Sequence, residues 1–574
     1  MNTYTQIKAS GALAQADVLS LRGQMGLSQL YQFEVLCEFQ VPGQVDMSQL
    51  MGQAFTFTVN INNDDYHFNG LVSAASATAA TRYVLIVEPG LALLRLTQHS
   101  RIFQNQTIPD IVKSVLSPYQ LELKTSLSKT YAKEEYCVQY QESDLAFVLR
   151  LLEAAGIFYY FTQGQNQETL VLADQTSSYF NGVQDADFDS TTLGPALSSI
   201  VLSMNLCPAK FTLNSYDFTK SKQKLKVEQT KPIEKMQHTQ YEFYQYQPDY
   251  QTTAEGEAEL NILASSQNKQ AILLEGASSY VDLLPGAKLN LTAQVAKSVN
   301  LNNWVISNLD FTFDTKTREM YTNHFKAIPA SIVYQPPRMT PIPQAPSTQL
   351  AIVVGASNAE YNTDQYGRLQ VEFFWDLNPK VTKQSVWLRS IAMWEGVLRV
   401  GTPVLVGFID GNINDPVILG PIHQDTLMPI NTLEGEQTKS VLVRRHPDAS
   451  IQKTYNFLSF EDKKDAQLMH LNATKNMQVN VLQDFNQEVA KGTYHLKVKG
   501  NMTIETEGQL IVKSKGAMNF TTEDAFSLQA KSIEMKASQG LSASAQTVDV
   551  KAGASASIDG GGQMTLKAGI IQQN

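Results

Sequence analysis

KGTYHLKVKGNMTIETEGQLIVKSKG (residues 491–516) repeats with a period of eight, and this cadence continues almost to the end of the chain. Tyr494, Met502, Leu510, Met518 and Phe526 lie eight apart. Each opens a short run of alternating apolar positions: Tyr494/Leu496/Val498, Met502/Ile504, Leu510/Val512, Met518/Phe520 and Phe526/Leu528. Gly492, Gly500, Gly508 and Gly516 recur at the same interval. The register slips to seven at Ile533/Met535, returns at Leu541/Ala543, slips again at Val548/Val550, and then reaches Ile558 and Met564/Leu566. Alternation with period two predicts strands. Glycine every eight residues predicts a regular corner, and a fixed short repeat predicts a solenoid. One such chain has an apolar face and nothing to bury it against. Three copies around a common axis solve that problem, so residues 491–574 read as a trimeric, triple-stranded β-helix, a needle. At about 4.8 Å per strand, roughly ten octads give a rod of order 45–50 Å.

Outward from the needle the chain is mainly β with a few helices. Residues 426–490 form a neck of alternating strands, Phe457–Phe460, Gln467–Leu471 and Met477–Val481, with the polar turn Glu461-Asp-Lys-Lys464 after the first. Residues 346–425 form a collar. Its short strands, Ala351–Val354, Gly367–Trp375, Ser385–Ile391, Thr402–Ile409 and Asp415–Leu419, suit a five-stranded barrel of the oligonucleotide/oligosaccharide-binding (OB-fold) type, with Asp410-Gly411 as a hairpin turn. Residues 1–345 form a base domain of β-barrel subdomains. There Ala54–Ile61 and Tyr66–Val72 flank the polar turn Asn62-Asn-Asp-Asp65 as a hairpin. One helix follows Thr107, with Pro109 and Asp110 in its first turn and Ser117-Pro118 ending it. Another follows Ser143, with Leu145, Val148, Leu149 and Leu152 on one face and Gly156 past its end. Strands Ile157–Thr162 and Thr169–Ala173 come next. Pro336, Pro337, Pro341, Pro343 and Pro346 read as a stiff linker into the collar.

At 574 residues the chain holds several domains. Its formal charge of −10, about −30 for three copies, argues against nucleic acid as the main ligand. Lys220, Lys222, Lys224 and Lys226, spaced by two, fall on one face of a strand; a solvated edge is favoured over a docking patch for an acidic partner. Cys37, Cys137 and Cys207 lack metal-ligand spacing and read as reduced, mostly buried thiols of a protein assembled in the cytoplasm. No signal peptide opens the chain. Its most apolar stretch, Tyr83 to Leu94, is interrupted by Glu88, Pro89 and Gly90, so no membrane span is expected.

No constellation of catalytic, cofactor-binding or metal-ligating residues emerges. The eight histidines include no HExxH pair and no Cys/His cluster with zinc spacing. Gly560-Gly-Gly562 lacks the residues of a phosphate loop and reads as a needle turn. Asp64/Asp65 and Glu134/Glu135 are adjacent, so their side chains point apart and do not make an acid/base pair. Trp375, Trp387 and Trp394 offer a sugar-stacking surface or core packing, the second favoured. Arg368 and Arg389 either bridge subunits or anchor the collar. His470 lies in register opposite to Met469 and Leu471, its orientation open.

These residues carry a resemblance to the VgrG family, the trimeric spikes of type VI secretion systems, and through it to the hub and needle proteins of contractile phage tails. In the base the resemblance rests on SRIF (100–103), DIV (110–112), YQESDLAF (140–147) and LLEAAGIFYY (151–160). In the collar it rests on VVG (353–355), TDQYGRLQVEFFWD (363–376), WLR (387–389) and RVG (399–401) through Asp410-Gly411, and in the neck on FEDK (460–463). Two departures, a short segment between Trp394 and Arg399 and a less acidic turn at 411–416, suggest a trimmed collar loop. The resemblance implies a homotrimer whose base, with pseudo-sixfold surface, sits on the Hcp tube hexamer and contacts baseplate components. It implies a blunt tip around Met564, Leu566 and Ile570 that accepts a PAAR-repeat cone, with effectors or adaptors carried there or on the tube. It also implies assembly in the bacterial cytoplasm and secretion by sheath contraction. About 30 residues, 425–454, occupy the gap where some phage relatives insert a lysozyme, and the sequence stops at Asn574, where many family members carry an effector domain. The expected function is therefore a non-enzymatic spike. A needle with its own hydrolase, a phage or prophage tail hub, and a carbohydrate-binding receptor on a fibre stem are the competing readings.

Overall fold

Phe55, Phe57 and Val59 alternate with threonines along Ala54–Ile61, and the three apolar side chains are buried while the threonines are half-buried. That strand pairs antiparallel with Asp64–Ala77, the expected hairpin, and the return strand starts two residues earlier than the sequence suggests. The computed structural model describes residues 4–9, 14–41, 43, 46–61, 64–186, 195–231, 240–246, 250–269, 271–291, 302–316, 321–345, 347–377, 385–392, 396–425, 428, 437–444 and 455–572. Within it the chain separates into two units, 1–477 and 478–574.

The hairpin belongs to a 12-stranded sheet that dominates the base. Its main path runs Tyr4–Ala9, Ala54–Ile61, Asp64–Ala77, Arg82–Glu88, Gln29–Glu38, Asp17–Gly26, Asn303–Asp314, Tyr321–Pro329, Ile272–Ser278, Leu197–Met204. The pairing of Asp17–Gly26 with Asn303–Asp314 ties the two ends of the base together. Above that junction Phe33, Phe68, Phe311, Phe313 and Tyr321 form a buried aromatic cluster with ring centroids 4.6–6.0 Å apart. Gly23 makes room for it: a Cβ there would lie 2.2 Å from the Phe311 ring.

Both expected helices are present. Ile108–Leu116 is capped by the Thr107 hydroxyl, which accepts from the Asp110 N–H. Asp144–Ala155 is capped by Ser143, which accepts from the Ala146 N–H at 3.1 Å, and ends on Gly156 at φ 64°. A third helix, Thr253–Asn268, is one the periodicity does not announce. It opens with a capping box between Thr252 and Glu255 and covers the sheet Lys210–Asn214, Val227–Thr230 and Glu242–Tyr246. The lysine row differs from expectation. Phe218–Lys220 is a short 3-10 turn capped by Asp217, and the next strand begins only at Val227, so Lys220, Lys222, Lys224 and Lys226 share no strand face. The chain turns at 221–223, between Lys220 and Lys224, and Leu225 is buried just beyond the turn.

The collar is a closed five-stranded barrel. Gln349–Val353, Leu369–Phe373, Val386–Ser390, Pro416–Pro421 and Pro403–Phe408 pair in that order, with Val386–Ser390 and Pro416–Pro421 parallel. Asp410 and Gly411 both have positive φ, 52° and 73°, but they close a 3-10 turn, Ile409–Gly411, inside the longer connection 409–415, so the expected two-residue hairpin turn is replaced by a wider loop. Trp375 is half-buried, stacks on Phe373 at 5.2 Å and donates its indole N–H to Gln349 at 2.7 Å, which is core packing. Trp394 lies outside the described residues. The tract 331–345 is extended and tied down. Glu153 accepts from the Met339 and Thr340 N–H groups, both at 2.9 Å, and Ser266 donates to the Pro336 carbonyl at 3.1 Å.

Four groups converge on Asp144, inside YQESDLAF: Gln139 at 2.8 Å, His99 at 2.9 Å, the Tyr119 hydroxyl at 2.6 Å and the Arg101 guanidinium. Burial opposes ionisation of this carboxyl, but the hydrogen bonds and the Arg101 charge outweigh it and hold its pKa below the ordinary range. The resulting stabilisation is present above the unfolded aspartate pKa, about 4, and is lost as pH falls through the lower, folded value. Asp144→Ala is expected to cost about 3–5 kcal/mol, because it leaves the Arg101 charge without its carboxylate partner. Asp144→Asn is expected to flatten the acid limb of the stability profile; denaturant unfolding across pH checks both.

Candidate functional site

Residues 478–572 contain no named strand, yet their bends fall at 482–483, 490–492, 499–500, 507–508, 515–516 and 523–524, then at 531, 538–539, 546, 553–554, 561–562 and 569. The interval is eight until 531, drops to seven, returns to eight, drops to seven again and recovers, following the slips in the apolar pattern. Between bends the residues pair with no strand of the same chain. Every residue of this segment is exposed. Tyr494, Leu496, Met502, Ile504, Leu510, Val512, Met518, Phe520, Phe526 and Leu528 are between 44% and 74% exposed, and Met564, Leu566 and Ile570 between 56% and 80%. The Phe520 and Phe526 rings approach to 6.1 Å across one bend, so neighbouring repeats present apolar groups on a shared side.

The corners owe less to glycine than the sequence suggests. Gly492 has a φ of 106°, but Gly500, Gly508 and Gly516 are not in the left-handed region. Instead a hydroxyl two residues earlier accepts the corner N–H: Thr506 from Gly508, Ser514 from Gly516 and Thr522 from Asp524, at 3.1–3.2 Å. Asp559 likewise accepts from Gly561 at 2.9 Å, though that glycine does have a positive φ, 60°. Side chains that bond the backbone two residues on fix a turn without positive φ. Sequence reasoning missed this, although the spacing of Thr506, Ser514 and Thr522 by eight signals it.

In unit 1–477 the base and collar share a core. Ile102 and Val138 of the base are buried with Val353, Val371, Leu388 and Val406 of the barrel. Beside this core lies a polar cavity of about 290 Å³. Arg368 pairs with Asp364 at 2.6 Å and Glu135 at 3.1 Å, and Arg389 pairs with Asp415 at 3.1 Å. Both guanidiniums face the Phe218 ring, at 5.9 and 4.6 Å. Through Glu135 the Arg368 guanidinium links collar to base, and both arginines reach Phe218 of the base. His470 packs edge-on against Phe457 at 4.9 Å.

Among the described residues no three His, Cys, Asp or Glu side chains gather to hold a metal, and no helix is long and apolar enough to cross a membrane. The three cysteines are free. Burial pushes the Cys37 and Cys137 thiols up to about 12, so they stay protonated. What the molecule does offer is an apolar ladder with unpaired backbone between its corners. Such a surface is completed by other strands.

The family description of the phage tail baseplate hub (GPD) matches residues 24–317. The chain is 28% identical over 501 residues to the type VI secretion system spike protein VgrG1b of Pseudomonas aeruginosa, covering 82% of this chain and 67% of that one. It is 26% identical to a Vibrio cholerae protein named actin cross-linking toxin VgrG1, of which it spans only 40%. Its fold matches the E. coli c3393 protein, described as a component of the type VI secretion system similar to the T4 tail proteins gp27 and gp5. That match has a TM-score of 0.56 at 22% identity, and covers 73% of this chain and all of that one.

Phe218→Ala removes the ring that both collar arginines face, and is expected to cost about 1–2 kcal/mol. Phe218→Leu keeps the apolar volume and should recover part of it. Faster amide exchange in Val386–Ser390, together with a lower denaturant midpoint, checks the assignment.

Proposed function

The chain belongs to the phage tail baseplate hub family, and we propose that it is the spike of a type VI secretion system, working as a homotrimer. The observation that carries this reading is the ladder at 478–572: large apolar side chains along the repeats, all exposed, on backbone that joins no strand of its own chain. Three copies wound together bury those side chains, each contributing about 1.5–3 kcal/mol, and leave no free sheet edge along the shaft. A shaft of that kind is stiff, unfolds slowly and transmits axial force, as puncturing a membrane demands.

In this reading the base caps the Hcp tube hexamer and meets baseplate components. The far end, around Met564, Leu566 and Ile570, seats a PAAR-repeat tip protein, and effectors travel on tip or tube. The trimer assembles in the bacterial cytoplasm and is driven out by the type VI machinery. Its work is mechanical and not enzymatic, in keeping with relatives named as spike proteins; the toxin named above extends well beyond the part this chain matches. The same architecture serves a phage or prophage tail hub, the family's namesake, and the genes beside this one separate the two.

Phe520→Asp places a charge in each of three chains at one level of the shaft, and light scattering should find the trimer lost. An intact trimer would refute the inward assignment of Phe520. Deleting residues 540–574 should leave a soluble trimer that no longer pulls down a PAAR-repeat protein; retained binding would put docking elsewhere.

A further inference from the structure

The ladder carries a charge pattern that burial of apolar groups does not require. Lys499, Glu507, Lys515, Glu523 and Lys531 lie eight apart, and from 499 to 531 the sign reverses at every step; Lys491, one repeat earlier, has the sign of Lys499, so the alternating column starts at 499. Each sits on a bend and is exposed. A second column two residues earlier, Lys497, Glu505 and Lys513, reverses in phase with the first. Among the described residues none of these charges has an ion-pair partner within the chain, whereas Lys536 and Glu534 of the same segment do pair. Solubility asks for charge on such a surface but not for an order of signs.

Stacked strands lie about 4.8 Å apart, so each corner residue of an assembled shaft stands next to corner residues one level above and one below. A column of one sign would set like charges side by side at every level. Alternation gives Glu507, Lys515 and Glu523 two opposite neighbours each and the end charges one, an arrangement that stabilises adjacent strands. We infer that these columns fix the axial register of the copies, the occupant of the surface being a second copy of this chain, docked so that Lys at one level meets Glu of the neighbouring copy at the next. This rests on the trimer proposed above and adds how its strands find one alignment. A copy displaced by one level meets Lys with Lys and Glu with Glu from 499 to 531. A copy displaced by two levels restores the signs but fails for another reason. The interval from Phe526 to Ile533 is seven, not eight, and bends 531 and 538 repeat that step. The displacement would therefore set a seven-residue repeat against an eight-residue one. Charge order and short repeats together leave a single register, which a period-two pattern alone does not specify.

The test uses the full chain in three forms. The first is wild type. The second carries Lys499→Glu, Lys515→Glu and Lys531→Glu, making the column uniformly acidic. The third carries those three changes together with Glu507→Lys and Glu523→Lys, so that every sign of this column is inverted and alternation is kept. Thermal unfolding is followed by circular dichroism at about 20 mM and about 1 M salt, where screening lengths differ several-fold. The uniform column should melt at least roughly 5 °C below wild type at low salt, the gap should close at high salt, and the fully inverted column should melt with wild type. The inference is overturned if the uniform column melts with wild type, or if the inverted column melts as low as the uniform one. Sedimentation of wild type keeps the two claims apart: a wild-type monomer sinks the trimer, while a wild-type trimer with unmoved variants sinks only the register device.

Discussion

Strands without partners govern this molecule. In the base, every long strand finds its hydrogen bonds inside the chain, even across the interval that separates Asp17–Gly26 from Asn303–Asp314. In 478–572 the backbone is bent at regular steps, bonded at several corners to water-facing side chains and at 560–563 to itself, and joins no strand. Fixing each residue of such a segment costs about 1–2 kcal/mol of conformational entropy, and a single copy has no interior to offset it. In the proposed trimer the shape of this part of the chain is set by association. That is why its side chains follow a strict pattern while exposing nearly everything apolar they have.

The base and collar solve the opposite problem. They are self-sufficient: a sheet with a buried aromatic cluster, a closed barrel with no edge, and a core that runs from Ile102 and Val138 into the barrel. Directional contacts fix that junction. Arg368 and Arg389 hold carboxylates and both face Phe218, and Glu153 ties the proline-rich tract along its helix. Such a joint holds the orientation of the barrel on the base, which apolar packing alone does not fix.

Much of this was legible in the sequence because the physics is local. Period two between glycines, with slips to seven, anticipates the bends one by one. Thr107, Ser143 and Gly156 mark helix ends through cap chemistry that acts within four residues. The helix Thr253–Asn268 escaped because its residues are mostly polar and its buried contacts, such as Leu260 and Leu263, are few; only the Thr252/Glu255 capping box betrays it. The lysine row was misread because spacing alone cannot reveal that Asp217 starts a turn and Leu225 pulls the chain inward. Asp144 looked like a helix-start residue, and its four partners come from segments up to 45 residues away. Pairings between distant segments are set by the tertiary fold and leave no local mark.

Hydrogen exchange of residues 482–569, followed over a dilution series alongside the sedimenting mass, tests the central claim most directly. Amides in this segment should be strongly protected wherever the chain sediments as a trimer and should exchange at unprotected rates wherever it is monomeric. Protection that persists in a monomer would contradict the account, because the segment would then hold its structure with no strands but its own.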